Sequence, residues 1–378
     1  MTATVVLVRP RASGGLAAHV DQELQELTRA GHDVREARAR IGERPRPLAD
    51  LRAVRALHRS FSTAPVPSAV HAHGLRAGAL SALAMPRGRE QRLVVTLHNR
   101  TVGSLLARGV GAALLRVLAR RADTVLAVSP DLAEDARRAG ARDVRHAVIP
   151  APTRVPTGGT APGGARPGDA PPGDSPPVDA PPGGAPPLDE TAGSGGEQDP
   201  APAEPLDVLV IARLAEQKGL HDLLSAAALL REGSPVRIRV AGDGPLESEL
   251  RDRIRAERLP VQLLGRRDDI PGLLAATDLV VSAARWEGQP VALQEALRAG
   301  RAIVATDAGG TRWVTGSAAR LVPVGDAPAL ASAIAEHRDV QLRERAEQAS
   351  RRRARELPTA GDMIDQLGDV LALNQGRW

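Results

Sequence analysis

Several residue types that often carry chemistry are missing from this chain of 378 residues. It has no cysteine and no tyrosine, and its aromatic residues are one phenylalanine and three tryptophans. Without cysteine the chain can form no disulfide, no thiolate nucleophile and no cysteine-ligated metal site. With so few rings for bases to stack on, nucleic acid is not an expected partner.

Long apolar runs are missing too, since none approaches the ~18–20 residues that a membrane span needs. Residues 1–9 lack the basic segment that opens a signal peptide and have the pattern of a buried strand. The proportions of hydrophobic residues (42%) and charged residues (25%) are ordinary, and the net charge is only +5. We therefore expect a cytoplasmic protein.

A chain of this length exceeds the ~250–300 residues at which one core stops growing, which indicates two domains. Residues 151–205 contain 26 prolines and glycines among 55 residues. Such a segment buries too little apolar surface to fold, so we predict a disordered linker, with a docking site for a partner as the alternative. The domains are then 1–150 and 206–340, and helices in 341–378 are expected to pack back toward the first domain.

Short apolar runs alternate with helical patterns on both sides of the linker. The runs are Val5–Val8, Val34–Ala37, Ala69–Ala72, Leu93–Leu97, Val125–Val128 and His146–Ile149, then Val208–Ala212, Val236–Ala241, Val261–Leu264, Leu279–Ala283, Ile303–Thr306 and Arg320–Val324. Helical patterns include Leu16–Ala30, Leu105–Arg121 and Pro130–Ala139. This alternation predicts an α/β protein with two doubly wound, Rossmann-like parallel sheets facing a cleft.

Ligands of such sheets bind beyond the carboxyl ends of the strands, which directs attention to the loop after Val208–Ala212. Lys218, the only lysine beside 49 arginines, lies in this loop with Arg213. An ammonium group and the N–H groups of a helix start both suit a phosphate. The alternative is a solvated lysine at a helix start.

Two carboxylates follow the strand Leu279–Ala283. Glu287 precedes a predicted helix with Pro290 in its first turn, and Glu295 lies more than one turn inside it. Carboxylates are strong acceptors that would fix the hydroxyls of a sugar and a ribose. Alternatively, Glu287 interacts with the helix dipole and Glu295 is a surface residue.

Together these loops resemble the retaining glycosyltransferases of family 4, which have the two-domain GT-B fold. The resemblance covers nearly everything except the linker and the last ~40 residues. It rests on Arg213…Lys218-Gly219, on Glu287-x7-Glu295, on the Gly-x-Gly-Pro turn at 241–245 that includes Gly244, on 305–310 and 323–326, and on Gly14-Gly15. Three positions depart from the family pattern: Pro290, Trp313 and the segment 148–152.

The resemblance implies a role for each matched residue. Arg213 and Lys218 would neutralise the diphosphate of a nucleotide-sugar donor, and Glu295 would hold its ribose. Glu287 would hold the transferred sugar, and His98 would lie beside that sugar as a catalytic residue.

The resemblance also places glycines and amides near the donor. Backbone amides near Gly288 and Gln289, together with Gly14, Gly15 and Gly244, would approach it closely. We expect no metal and no cofactor, because the cationic pair does that work and the catalytic loops lack an Asp-x-Asp motif. His71 and His73 are either structural or on the acceptor side.

The function implied is transfer of a UDP- or GDP-linked sugar, with retention of configuration, to a small-molecule or lipid-linked acceptor. A nucleotide-sugar epimerase and an inactive nucleotide-sugar-binding partner or sensor are the alternatives. The basic amphipathic segment Leu105–Arg121 could lie against a membrane as a peripheral contact, or be a core helix with a solvated face.

Overall fold

The structure is a computed structural model that describes residues 4–10, 15–42, 46–88, 90–100, 104–151, 204–230 and 235–373. Nearly all of the predicted linker, together with Gly14, lies outside the described residues.

The first domain is built on a six-stranded parallel sheet. Its strands are β1 (Thr4–Val8), β2 (Asp33–Glu36), β3 (Ser68–His73), β4 (Gln91–Leu97), β5 (Thr124–Ala127) and β6 (Val144–His146). They lie in the order β2-β1-β3-β4-β5-β6, so the strand order reverses between β1 and β3. The helices around it are α1 (Gly15–Arg29), α2 (Pro47–Thr63), α3 (Leu75–Ala84), α4 (Leu105–Ala119) and α5 (Pro130–Arg138).

The second domain contains another six-stranded parallel sheet with a different order. Its strands are β7 (Leu206–Ile211), β8 (Val236–Ala241), β9 (Val261–Gly265), β10 (Leu279–Ser282), β11 (Ala302–Thr306) and β12 (Arg320–Val322). They lie in the order β12-β11-β10-β7-β8-β9, with the reversal between β7 and β10. Its helices are α6 (Leu220–Leu230), α7 (Glu247–Glu257), α8 (Ile270–Ala275), α9 (Val291–Arg298), α10 (Thr311–Thr315) and α11 (Ala327–Glu336), besides one 3-10 turn at Glu216–Lys218.

Two more helices, α12 (Val340–Ala354) and α13 (Ala360–Val370), follow the second sheet. The first packs on α9 and β11 of the second domain, and the second packs on α1 of the first domain. Helix α13 buries Met363, Leu367 and Val370 in the core of the first domain. The C-terminal residues therefore cover both domains. Among the helices described, none has the length and apolar character to cross a bilayer.

The prediction of two doubly wound parallel sheets is confirmed, because buried apolar strands such as Thr4–Val8 alternate with helices throughout. The sixth predicted strand was misplaced. It was expected at His146–Ile149 but ends at His146, and the next residues leave the sheet.

Where the chain leaves the sheet, its backbone N–H and carbonyl groups form hydrogen bonds with side chains rather than with a neighbouring strand. Buried Gln294 of α9 accepts a hydrogen bond from the N–H of Ala151 (2.9 Å) and donates one to the carbonyl of Ile149 (2.8 Å). Gln366 of α13 accepts one from the N–H of Val148 (2.9 Å). Helices that lie far along the chain thus fix the exit from the first domain.

We predict that Gln294→Leu lowers the free energy of unfolding by about 2–4 kcal/mol, because it leaves two buried backbone groups unpaired. Urea denaturation measures the change. Gln262→Leu is the matched control, since Gln262 is exposed on β9, and it should change stability little. Equal losses in the two variants would contradict this account of the exit segment.

Candidate active site

The predicted phosphate loop and the predicted carboxylate loop meet at the point where the second sheet reverses its strand order. The first loop follows β7 and the second follows β10, and these two strands are neighbours. Nζ of Lys218 lies 2.5 Å from Oε1 of Glu287, and both side chains are mostly buried, with 26% and 11% of their surface exposed. The structure therefore brings together two residues 69 positions apart.

Close backbone packing holds these loops against each other. Gly219 has φ +62°, and a Cβ there would lie 1.9 Å from the carbonyl oxygen of Ala283, so only glycine fits. The side chain of Gln217 donates to the carbonyl of Trp286 (2.9 Å), and the N–H of Arg285 donates to the carbonyl of Gln217 (2.8 Å). Lys218 is thereby placed on a rigid turn.

The turn after β8 supports the same loop from the other side. A Cβ on Gly244 would lie 2.4 Å from the carbonyl oxygen of Leu214, whose own N–H donates to the carbonyl of Asp243 (2.8 Å). The neighbouring Arg213 is exposed, and within the described part of the chain its guanidinium has no ion-pair or hydrogen-bond partner. Gly244 packs on the loop that carries Arg213.

Gly288 is the point at which the carboxylate loop touches the first domain. A Cβ on Gly288 would lie 2.5 Å from Cγ2 of Val128. On its other side, a Cβ on Gly310 would lie 1.9 Å from the carbonyl oxygen of Gly288, and the N–H of Gly310 donates to the carbonyl of Glu287 (2.9 Å). The segment Glu287-Gly288 is thus enclosed by backbone from both domains.

Trp286 anchors this segment, a role that was not predicted from the sequence. Its ring packs against the core of the first domain, and its Nε1–H donates to Oδ2 of Asp131 (2.8 Å). The signal available was a rare aromatic residue directly before Glu287. Trp313 also reaches across, with its ring centroid 4.1 Å from that of His146.

One prediction at the start of α9 needs correction, that of Pro290. The side chain of Gln289 donates to the carbonyl of Ala147 and lies 2.9 Å from Nε2 of His146, whereas the prediction for this position concerns its backbone amide. Pro290 precedes the first turn of α9 instead of lying in it, and its carbonyl accepts from the N–H of Leu293 (3.1 Å). Glu295 lies in the second turn and is half-buried.

On the first domain, Gly15 begins α1, while His98 follows β4 and faces a group of buried histidines. Nε2 of His98 lies 3.1 Å from Nδ1 of His73. Burial, with His73 adding to it, lowers the pKa of His98 well below its usual value, so the ring is neutral. The backbone carbonyl of His98 would lie 3.4 Å from a Cβ on Gly288, which puts this residue at the contact between domains.

His71 and His73 are buried, which favours the structural interpretation of both. Alternate residues of a strand share one face, so both lie on the face that α1 covers. Helix α1 contributes the fully buried Glu23, whose Oε1 lies 2.6 Å from Nδ1 of His71. Nε2 of His71 lies 2.7 Å from Oγ1 of Thr96.

Within the described residues, two overlapping groups could hold a metal ion: His19, His73 and His98, and Glu23, His71 and His73. The ligand atoms of each group lie within 4.8 Å of one another. Several of these atoms already bond to each other, so the network can be satisfied without an ion.

A cavity of about 260 Å³ lies in the first domain, lined in part by the residues on either side of His98 in the sequence, Leu97 and Asn99. Leu97 of β4, Asn99 and Arg100 line it together with aliphatic and basic side chains of α4 and α5, namely Leu115, Leu132, Arg108, Arg116 and Arg138. Arg100 also pairs with Asp135 (3.2 Å) and Asp131 (3.6 Å), and Asp131 is the partner of Trp286. The cavity is therefore tied to the carboxylate loop through one aspartate.

Helix α4 is strongly apolar but buries little of its surface. Leu105 and Leu106 are 83% and 79% exposed. Only Gly111, Leu118 and Ala119 of this helix are buried. The interpretation of α4 as an ordinary core helix therefore describes only its C-terminal half.

We predict that Gly310→Ala displaces the Glu287-Gly288 segment, because the new Cβ would collide with backbone of both domains. Nucleotide binding, measured by titration calorimetry, should weaken at least about tenfold, which corresponds to ~1.4 kcal/mol. Gly272→Ala in α8 is the control, since a Cβ there meets nothing within 4 Å. Unchanged binding in Gly310→Ala would show that the segment does not shape the site.

Both domains match known protein families. Residues 2–152 match the family profile described as "Glycosyl transferase 4-like domain", and residues 205–338 match "Glycosyl transferases group 1". The putative colanic acid biosynthesis glycosyltransferase WcaL of Salmonella typhimurium is 34% identical over 149 residues, which are 36% of this chain and 37% of that protein. The alpha-D-kanosaminyltransferase of Streptomyces kanamyceticus is 32% identical over 174 residues, 44% of each chain. The chain thus spans well under half of these curated relatives.

Among solved structures, the fold is similar to that of Anabaena Alr3699/HepE in complex with UDP. The TM-score is 0.68 at 18% identity, covering 98% of this chain and 99% of that one. The two family profiles together span both Rossmann-like domains and every loop of the site. The chain belongs to the glycosyl transferases, with the two-domain fold known as GT-B.

Proposed function

We propose that this protein transfers a sugar from a nucleotide-diphosphate donor, UDP- or GDP-linked, to an acceptor hydroxyl with retention of configuration. One observation carries the proposal: the only lysine of the chain pairs with Glu287 where the second sheet reverses its order. A cation that binds phosphate and a carboxylate that binds hydroxyls are thereby adjacent, as the two ends of a sugar diphosphate require.

The donor's diphosphate binds Lys218 and the exposed Arg213. In the structure Nζ of Lys218 is bonded to Glu287, so donor binding exchanges one anion for another and frees the carboxylate of Glu287 for sugar hydroxyls. Because the two cations already balance the diphosphate, we propose that no divalent metal is needed. The complex of Anabaena HepE with UDP makes a uridine donor the first to test.

The remaining donor contacts follow the positions of the other loops. Glu295, deeper in α9, holds the ribose hydroxyls, and the amide of Gly288 approaches the phosphate where a side chain would collide. Gly15, at the first residue of α1, approaches from the first domain. His98 lies beside the transferred sugar.

In the transfer step, the bond from the anomeric carbon to the β-phosphate oxygen breaks and a bond to the acceptor oxygen forms on the same face. The acceptor's proton passes to the departing diphosphate. Charge therefore develops on the diphosphate, where Arg213 and Lys218 stabilise it without reorganisation.

We place the acceptor in the cavity lined by Asn99 and Arg100. Arg108 and Arg116 project from α4 at its edge, so an anionic group on the acceptor, such as the phosphate of a lipid-linked sugar, fits this surface. The exposed Leu105 and Leu106 at the start of the same helix suit an apolar acceptor tail or a peripheral membrane contact.

We predict that Lys218→Ala abolishes stabilisation by the donor nucleotide. A ligand at a hundred times its dissociation constant adds roughly 2.7 kcal/mol, enough to raise the melting temperature by several degrees. Melting curves with UDP, GDP, ADP and their sugar conjugates identify the base. Arg267→Ala is the control, because Arg267 pairs with surface Asp269 and the variant should leave the shift intact.

Turnover distinguishes a transferase from a binding protein. The wild type should slowly hydrolyse its donor when no acceptor is present. Nucleotide binding without any hydrolysis or transfer would indicate an inactive partner or sensor, and no shift with any nucleotide would overturn the donor site itself.

We predict that Arg108→Glu and Arg116→Glu each raise the KM for an anionic acceptor about 10- to 100-fold, the value of a lost charge-assisted hydrogen bond. Hydrolysis of the donor alone should stay unchanged, because both arginines line a cavity of the first domain and Lys218 lies in the second. Arg52→Glu, on the exposed face of α2, serves as the control for charge. An equal effect on donor hydrolysis would contradict an acceptor role.

A further inference from the structure

We propose that Glu23 and His73 fix the tautomer of His98, so that Nδ1 of His98 accepts a hydrogen bond from a substrate hydroxyl. Glu23 and His73 are positioning residues in this scheme, and only His98 touches substrate. The proposal rests on the proposed function and adds to it a direction for one hydrogen bond.

Three elements bring the group together. Helix α1 supplies Glu23, β3 ends at His73, and His98 follows β4. Oε2 of Glu23 lies 3.4 Å from Nε2 of His73, and Nδ1 of His73 lies 3.1 Å from Nε2 of His98. The side chains of Glu23 and His73 are completely shielded from solvent. Water therefore cannot supply the missing hydrogen bonds.

The two atoms that face each other at 3.4 Å lack any other partner. Oε2 of Glu23 and Nε2 of His73 are both buried without a hydrogen bond to another described residue. The other oxygen of Glu23 is already occupied by His71, at 2.6 Å. Leaving two such buried atoms unpaired is costly, so a proton between them is strongly favoured.

The charge of Glu23 decides where that proton sits. Burial alone would raise the pKa of Glu23, but His71 and His73 lower it well below its usual value, so it is a carboxylate that can only accept. Burial lowers the pKa of His73, so its ring is neutral and carries one proton. That proton must lie on Nε2, since a lone pair facing the carboxylate would be repelled.

The direction of the next bond follows. With its proton on Nε2, His73 presents a lone pair at Nδ1, and the neighbouring Nε2 of His98 must donate to it. His98 is neutral as well, so its Nδ1 has a lone pair and no proton. His19 does not interfere, because burial lowers its pKa to about 3 and its Nε2 stands 3.8 Å from Glu23.

Nδ1 of His98 is available to a substrate. The ring is half-buried, and among the described residues nothing bonds to this nitrogen. His98 also adjoins the Glu287-Gly288 segment, and its sequence neighbours Leu97 and Asn99 line the cavity of the first domain. A hydroxyl of the transferred sugar or of the acceptor can therefore donate to it.

The first test reads the tautomer directly. Nitrogen-15 NMR of the histidine rings in the full chain separates protonated from unprotonated ring nitrogens. We expect His98 with its proton on Nε2, and the His98→Asn variant assigns the signal. A proton on Nδ1 of His98 would overturn the proposal. Because the measurement needs no nucleotide, it stands even if the proposed function fails.

The second test uses Glu23→Gln, which keeps the shape of the side chain and removes its charge. This variant should reverse the direction of the hydrogen bonds that lead from residue 23 to His98. The amide oxygen accepts from His71, and the amide nitrogen donates to Nε2 of His73. The proton of His73 then lies on Nδ1 and is donated to Nε2 of His98, so His98 carries its own proton on Nδ1. We expect kcat to fall about tenfold or more, with the nucleotide Kd unchanged.

The control is Thr96→Val, which removes the other partner of His71 from the same buried network. It should cost stability but leave the His98 tautomer and kcat unchanged. An unaltered tautomer in Glu23→Gln, or an equal loss of kcat in Thr96→Val, would overturn the proposal. If the wild type bound no nucleotide, this would instead contradict the proposed donor site.

Discussion

The segment Trp286–Gly288 is held by backbone and ring contacts from both domains, and the candidate site depends on that fit. Gly310 packs on one side of it, Val128 on the other, and Asp131 binds the indole N–H. The packing of this segment fixes the position of Glu287. Steric contacts therefore place its carboxylate beside Lys218, and the ion pair between them is a consequence of the packing.

The two sheets share an architecture but use it differently. In the second sheet the order reverses between β7 and β10, and the loops that follow these strands carry Lys218 and Glu287. In the first sheet the reversal lies between β1 and β3, and β3 ends in the buried histidines that support His98. The switch point of the second sheet thus carries an ion pair, and the switch point of the first sheet leads into a group of buried histidines packed on Glu23.

Much of this could be predicted from the sequence, because the signals are local. Apolar runs mark the strands, and the position of Lys218 after a strand predicts its place at the sheet edge. The rest depends on partners that are distant along the chain. Glu23 is an ordinary polar residue of an amphipathic helix until His71, 48 positions later, is folded against it. Gln294 and Trp286 likewise acquire their roles only when the two domains are in contact. The prediction of a strand at His146–Ile149 was wrong for the same reason.

The central claim is that Lys218 exchanges Glu287 for the donor's diphosphate. A crystal structure of the chain with its preferred nucleoside diphosphate tests this most directly. We expect a phosphate oxygen within about 2.7–2.9 Å of Nζ of Lys218, and the bond from Lys218 to Glu287 broken. A nucleotide bound elsewhere, or a diphosphate that leaves Lys218 on Glu287, would contradict it.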